Sequence, residues 1–216
     1  MVAQDATQFQ DLLRLQTAIV ARVVLDDPSG NFLSIGAVAQ SFSNDVVFSS
    51  AVVVDALMNV IEESIASAKV TMPYIAGLLF FREGPAAIAA LKELRAKLDV
   101  LIVHGRGINH PRFAGFALHL GVVLNAPTIG VSKTMLCGEY VEPDQACHCV
   151  PLKFRGRHLG FVLKTMIGTK PIFISPGHRI SLQYALRVVL QCVINHRLPE
   201  PLRLAHIKVR QARFRE

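Results

Sequence analysis

Between residues 5 and 25 the apolar positions fall at Phe9, Leu12, Leu13, Leu15, Ile19, Val20 and Val23. That spacing is close to the helical repeat and predicts a helix that packs on something larger and stops at the breaker DDPSG. Three runs of strand character follow, from Phe32 to Phe42, Val46 to Val54 and Met58 to Val70, the first two divided by the turn Ser43-Asn44-Asp45. They predict an antiparallel meander. From Pro85 the pattern changes to helix (Pro85 to Leu98), strand (Val100 to Val103), helix (Phe113 to Leu124) and strand (Thr128 to Val131), which implies parallel strands with crossover helices. A strand pair near 148 to 165, a strand from Pro171 to Ser175 and a helix from about Arg179 to His196 complete the layer. The expected fold class is α/β, a mixed sheet flanked by helices, in one domain over residues 1–216 with a basic C-terminal tail.

In parallel α/β sheets, reacting groups gather where strands end and loops lead into helix N-termini. Three segments are expected to end so: Val100 to Val103 runs into His104-Gly105-Arg106-Gly107, Thr128 to Val131 into Ser132-Lys133, and Pro171 to Ser175 into Pro176-Gly177-His178. A histidine closing the run VLIVH therefore belongs at the working edge of the sheet.

Composition narrows the classes. No apolar run of the 216 residues reaches the roughly 18 to 20 residues of a membrane span. The start MVAQDATQFQDLL carries acidic residues where a secretory signal needs a basic start, so a cytoplasmic protein is expected, with no membrane partner. Four cysteines fit a reducing compartment better than a disulfide framework. Cys147, His148 and Cys149 offer metal-ligand atoms, yet adjacent side chains rarely converge on one tetrahedral centre and no second cluster follows. The formal charge of +7, with Arg and Lys gathered after residue 153 and in HIKVRQARFRE, favours a polyanion such as nucleic acid.

Candidate chemistry sits at a few positions. Glu83 precedes Gly84 and a Pro85 suited to the first helical position, so its carboxylate is expected near a positive helix end, ionised, either holding a divalent metal or simply capping its helix. Lys133 can meet a phosphate. His110 and His178 follow glycine-containing turns, where an imidazole can act as acid, base or ligand or can bond to the turn itself.

The runs PYIAGLLFFREGPAAIAAL, VLIVHGRGINHPRFAGFALHLGVVLNAPTIGVSKTMLCG and ISPGHRISL resemble endonuclease V in order and spacing, from about residue 8 to residue 206. The resemblance implies a ribonuclease-H-like fold and an enzyme that recognises deaminated bases, chiefly inosine, in DNA or RNA and cuts a nearby phosphodiester with Mg2+. It assigns Tyr74 to a wedge beside the lesion, with Ala76 where a proline is usual. Gly77, Leu79, Gly105, Gly130 and Leu136 fall on base-pocket positions, and Arg82, Lys133 and His178 surround the phosphate path.

The departures fall on the metal ligands. The family strand V-D-x-S-F reads here as GAVAQSF, with Ala39 at the Asp position, and the second family Asp is His104 in VHGRGINHPR. A further family aspartate falls on His206, and of the carboxylate trio only Glu83 remains. Mg2+ needs hard anionic oxygen ligands, whereas imidazole suits Zn2+, Mn2+ or Ni2+. Asp45, in a turn, and Asp99, at the far end of its strand, are not replacements. Three readings follow: a monomer that binds DNA or RNA at inosine or at branched or mismatched structures with cleavage lost or strongly reduced, a working nuclease with a rebuilt His104, Glu83 and His178 site for Mn2+ or Zn2+, or a structural or regulatory module.

Overall fold

The protein is described by a computed structural model over residues 2–27 and 32–214. Of the breaker expected after the first helix, Pro28, Ser29 and Gly30 lie outside the described residues, as do Arg215 and Glu216. Helix α1 (Val2–Val20) precedes strands β1 (Ser34–Ser43), β2 (Val46–Asp55) and β3 (Val60–Lys69). Then come α2 (Leu79–Lys92), β4 (Val100–His104), α3 (Phe116–Leu124) and β5 (Thr128–Ser132). Strands β6 (His148–Phe154), β7 (Arg157–Lys164) and β8 (Ile172–His178) lead to α4 (Leu182–Cys192) and α5 (Glu200–Arg213). The strands form an eight-stranded sheet in the order β3-β2-β1-β4-β5-β8-β7-β6.

The meander expected from the sequence is present. Ser43 pairs with Val46 across a two-residue turn in which Asn44 takes φ 47°, a left-handed conformation that asparagine tolerates. Central strand β2 is buried along nearly its whole length, and its sequence VVFSSAVVVD is accordingly almost continuously apolar or small. Edge strand β3 alternates between exposed and half-buried positions, as a strand with one wet face should.

Strands β1, β4 and β5 run parallel, with Val38 opposite Val103 and His104 opposite Val131. Because side chains alternate between faces, Ile35, Ala37, Ala39, Val100 and Ile102 share one face, and His104 follows Ile102 there. Helix α5 covers that face with Leu202, Ala205 and Val209. The opposite face, with Val38, Leu101 and Val103, meets Ala87, Ala90 and Leu91 of α2 and Phe116, Ala117 and Leu120 of α3.

Element ends shift by a few residues throughout, and three differences from the sequence reading bear on the site. Helix α2 begins at Leu79, so Pro85 lies inside it and Glu83 is within its body instead of ahead of it. Burial of the Glu83, Ala87 and Ala90 face against the sheet outweighs the hydrogen bond that Pro85 cannot donate. The basic tail is largely the second half of α5, where one face of RLAHIKVRQAR is buried and Arg210 points to solvent. Strand β8 is antiparallel to β5, with His178 opposite Thr128 at the start of β5. The third strand end therefore points away from the other two.

Helix α5 is a structural part of the sheet's cover. Leu202 is fully buried, and Leu202→Ala should lower unfolding free energy by about 2 to 5 kcal/mol, read as a reduced urea midpoint with an unchanged slope. A loss under about 0.5 kcal/mol would show that α5 does not close the core.

Candidate nucleic-acid site

The carboxyl ends of β1, β4 and β5 lie side by side. One residue past the Val38 and Val103 pair, Ala39 stands next to His104, as the loss of an aspartate at each position would require. Past β5 the chain continues into Lys133, whose backbone carbonyl accepts a hydrogen bond from Arg197 Nη2 at 3.1 Å. From α5, His206 lays its ring edge-on to His104, with centroids 4.3 Å apart. Burial, aided by Lys133 and Arg106, pushes the His104 pKa down to about 4. Burial beside His104, Lys133 and Arg210 pushes that of His206 to about 3. Both rings are neutral at pH 7, and the buried Nε2 of His206 has no partner.

Glu83 reaches this edge from the other face. Ser64 Oγ bonds to the carbonyl of Ala90, and the Glu62 carboxylate accepts from the amides of Arg95 and Ala96. Ser64 and Glu62 are in register with Ala51 and Val53 of β2, hence with Val38 and Gly36 of β1. Helix α2 thus runs opposite to β1, and its first turns overlie the carboxyl end of that strand. Arg82 confirms the direction, its guanidinium lying 4.8 Å from the Phe42 ring centroid. Glu83 is buried, which raises its pKa to about 7 against the opposing pull of Arg82. The expectation of a carboxylate kept ionised by a helix end gives way to one that is half-protonated at neutral pH.

These donors do not fit Mg2+. Ala39 contributes no ligand atom, two of the three remaining groups are imidazoles, and the single carboxyl carries its charge only part of the time. Among the described residues no group of three or more His, Cys, Asp or Glu side chains is placed to hold a metal ion. Asp99 lies at the opposite end of β4, accepting from the amides of Leu33 and Ser34. His148 is engaged by Asp144 at 2.8 Å.

His178 does not join the edge. It is buried at the far end of the sheet, where its Nδ1 accepts from the Val24 amide at 3.3 Å, so it ties the segment after α1 to β8. The reversed direction of β8 causes this, and it removes the third ligand from a His104, Glu83 and His178 metal set.

A pocket opens beside the edge, with a cavity volume of about 50 Å³. Tyr74, Gly77, Leu79, His110 and Leu136 line it, as do Gln16, Phe80, Arg106, Gly115, Phe116 and His119, which sequence reasoning passed over. Gly77 takes φ +82°, and a Cβ there would lie 2.9 Å from His110 Nε2. Its carbonyl accepts from Gln16 Nε2 at 2.8 Å and Arg112 Nη2 at 3.0 Å. Gly105 and Gly130 do not line the pocket. A Cβ on Gly130 would come within 2.4 Å of the Gly107 amide, so this glycine lets the 105–107 loop lie against β5. Tyr74 is 67% exposed at the rim, with the Arg82 guanidinium 6.0 Å from its ring centroid.

Three nitrogens of the pocket-lining side chains are unspent: His110 Nε2, His119 Nε2 and Arg106 Nε. His119 Nδ1 lies 3.0 Å from the Gly115 carbonyl, which only accepts, so Nδ1 carries the proton and Nε2 is a bare acceptor. The ring stacks on Phe80 with centroids 4.9 Å apart. His110 Nδ1 accepts from the Arg112 amide, leaving Nε2–H a bare donor, and Arg106 Nε is a second one. Sequence signals for two of the missed residues existed: Gln16 is a polar position that α1 buries, and His119 interrupts the apolar run FALHLGVV.

Burial of these imidazoles links stability to pH. His104, His110 and His206 have folded pKa values lowered to about 4, 4 and 3, and burial also lowers those of His119 and His178. Such groups contribute stability that is present above about pH 6.5 and is lost on acidification. Glu83, raised to about 7, acts in the opposite sense, favouring the folded state as pH falls. Five imidazoles outweigh one carboxyl, so the urea midpoint should be lower at pH 5 than at pH 7. An equal or higher midpoint at pH 5 would contradict the buried neutral histidines.

Comparison with known proteins identifies the family. The family model for Endonuclease V matches residues 17–207. The endonuclease V of Azotobacter vinelandii is 44% identical over 199 residues, 88% of each chain. The crystal structure of the Streptomyces avermitilis endonuclease V superposes with a TM-score of 0.88 at 35% identity, covering 94% of this chain and 92% of that one. The Ciona intestinalis endonuclease V, crystallised with a 24mer DNA containing an inosine followed by a ribo-adenosine, shares the fold with a TM-score of 0.84 at 24% identity, covering 97% and 99%. With its parallel strand ends, its ribonuclease-H-like mixed sheet and the match over most of its length, the chain belongs to the endonuclease V family.

Proposed function

We propose that this protein binds inosine-containing DNA or RNA and has lost, or retains only weakly, the Mg2+-dependent phosphodiester cleavage of its family. The observation that carries this reading is the contrast at one strand edge: a pocket with unspent donors and acceptors beside a catalytic position left with one carboxyl. Hypoxanthine presents a ring N–H next to a carbonyl. His119 Nε2 is an acceptor for the N–H, and Arg106 Nε and His110 Nε2 are donors for ring or carbonyl acceptors. Adenine lacks that N–H, which would leave the buried acceptor unpaired. The exposure of Tyr74 at the rim supports a role in filling the gap left by a displaced base. The net positive charge and the basic residues of α5 support contact with the backbone.

In the test, binding and cleavage of inosine oligonucleotides are read in parallel with Mg2+, Mn2+ and Zn2+. The wild type is expected to bind in all three and to cut little or not at all with Mg2+. The double variant Ala39→Asp with His104→Asp places two carboxylates beside Glu83, and cleavage with Mg2+ should then rise by orders of magnitude. Wild-type cleavage with Mg2+ at the rate of the double variant would sink the reading.

Replacing His119 by Phe keeps the ring stacked on Phe80 and removes the acceptor. His119→Phe should reduce the preference for inosine over adenosine about tenfold while changing affinity for the control strand less than twofold, measured by competition binding. Equal losses on both strands would remove His119 from base recognition.

A further inference from the structure

The carboxyl ends of β4 and β5 collect cations with nothing to neutralise them. Lys133 is half-buried just past β5, and burial, together with Arg210 and Arg197, lowers its pKa. Lys133 and Arg106 both act on His104, while Lys133 and Arg210 act on His206. Side chains from β4, β5, the segment before α5 and α5 itself therefore share one small region. Among the described residues, Lys133, Arg106, Arg197 and Arg210 form no ion pair with any carboxylate. The nearest candidate anion by position is Glu83, which approaches from the opposite face and is half-protonated at neutral pH. An independent observation points the same way. His206 Nε2, beside His104, is buried without a partner.

Lys133 and Arg106 are half-buried and Arg210 is exposed beside them, and half-buried cations that lack an anion in the free protein gain one when the working ligand arrives. We propose that the former metal position is a phosphate site, in which Lys133, Arg210 and Arg106, with the imidazoles of His104 and His206, hold a phosphodiester of the bound strand directly and without a divalent cation. The inference rests on the nucleic-acid reading above and specifies what replaced the carboxylates. Clustered carboxylates repel a phosphate until a cation bridges them, whereas this set attracts it. Its position suits the task. His104 and Arg106 are two residues apart, at most about 7 Å along the chain, and Arg106 lines the base pocket, so a strand with a base in the pocket has a phosphate in reach.

The test is binding of a short single-stranded inosine oligonucleotide by fluorescence anisotropy, in EDTA and in Mg2+ at matched ionic strength. Wild-type affinity in the two buffers should agree within about twofold. Lys133→Ala, a half-exposed and structurally mild change, should weaken binding in EDTA about fivefold or more and lower the slope of log affinity against log salt by about one. His104→Asp, checked for folding by circular dichroism, should make binding depend on Mg2+, with EDTA reducing affinity tenfold or more. A single uncharged methylphosphonate moved along the strand should weaken wild-type binding strongly at one linkage and have no such effect with Lys133→Ala. Tenfold loss of wild-type affinity in EDTA, or the same methylphosphonate profile in both proteins, overturns the proposal. An adenosine strand in the same titration separates the two readings. Metal-independent binding without inosine preference would reject base recognition alone, and inosine preference that requires Mg2+ would reject the phosphate site alone.

Discussion

The pairing of β4 between β1 and β5 is the constraint on which the rest of the molecule depends. Only four residue pairs join β4 to each neighbour, yet those pairs fix which side chain stands at the edge and which face it takes. With a side-chain period of two, a slip of one residue would turn His104 away from α5 and drive Val103 toward it. Continuous burial from Val100 to Val103 resists that slip, since each of these side chains already fills a core position on one face or the other. The placement of Ala39 beside His104 follows from the register, and α5 then brings His206 onto the same spot. The loop after His104 is held as tightly. Gly107 donates its amide to Ser175 Oγ at 2.9 Å, and a Cβ on it would overlap the Pro176 carbonyl at 1.9 Å.

Hydrophobic periodicity made much of this architecture legible. The long meander, the strand Val100 to Val103, the crossover helix before β5 and the helix after β8 each carry a repeat strong enough to read directly. Strand direction was less accessible. The run from Pro171 to Ser175 looks like β4 and β5 in composition, but its direction is set by β7, which pairs with it antiparallel through Phe161, Val162 and Leu163. A local pattern holds no information about such a partner, and His178 was misplaced for that reason. Helix α5 was obscured differently, because its charged residues dominate the composition while its buried stripe of Leu202, Ala205 and Val209 is only one residue wide.

The site shows the same division. Residues defined by strand ends, such as His104 and Lys133, could be placed from sequence, as could Tyr74 and Gly77 by resemblance. The pocket's pattern of donors and acceptors could not, because it depends on which nitrogen of each imidazole a neighbouring backbone group occupies. Glu83 is instructive here. Read as the residue before a helix, it is a stabilised anion, but read as part of a buried helical face it is a carboxyl that holds its proton near neutrality. Six residues of difference in a helix start reverse its electrostatic character.

The cover that α5 provides also bears on how the chain is made. Ser50 Oγ on β2 bonds to the Ala205 carbonyl at 2.6 Å, across a sequence separation of 155 residues. During synthesis from the N-terminus, the apolar face formed by Ala37, Phe48, Val52 and Val54 emerges early and waits for a helix that the ribosome releases almost last. The nascent meander therefore spends most of translation with its sticky side uncovered, and loop-closure entropy delays docking even after release. A chain interrupted before residue 200 would expose that face permanently and become a substrate for chaperones or for aggregation, whatever the state of the pocket lined by His110 and His119 on the other side of the sheet.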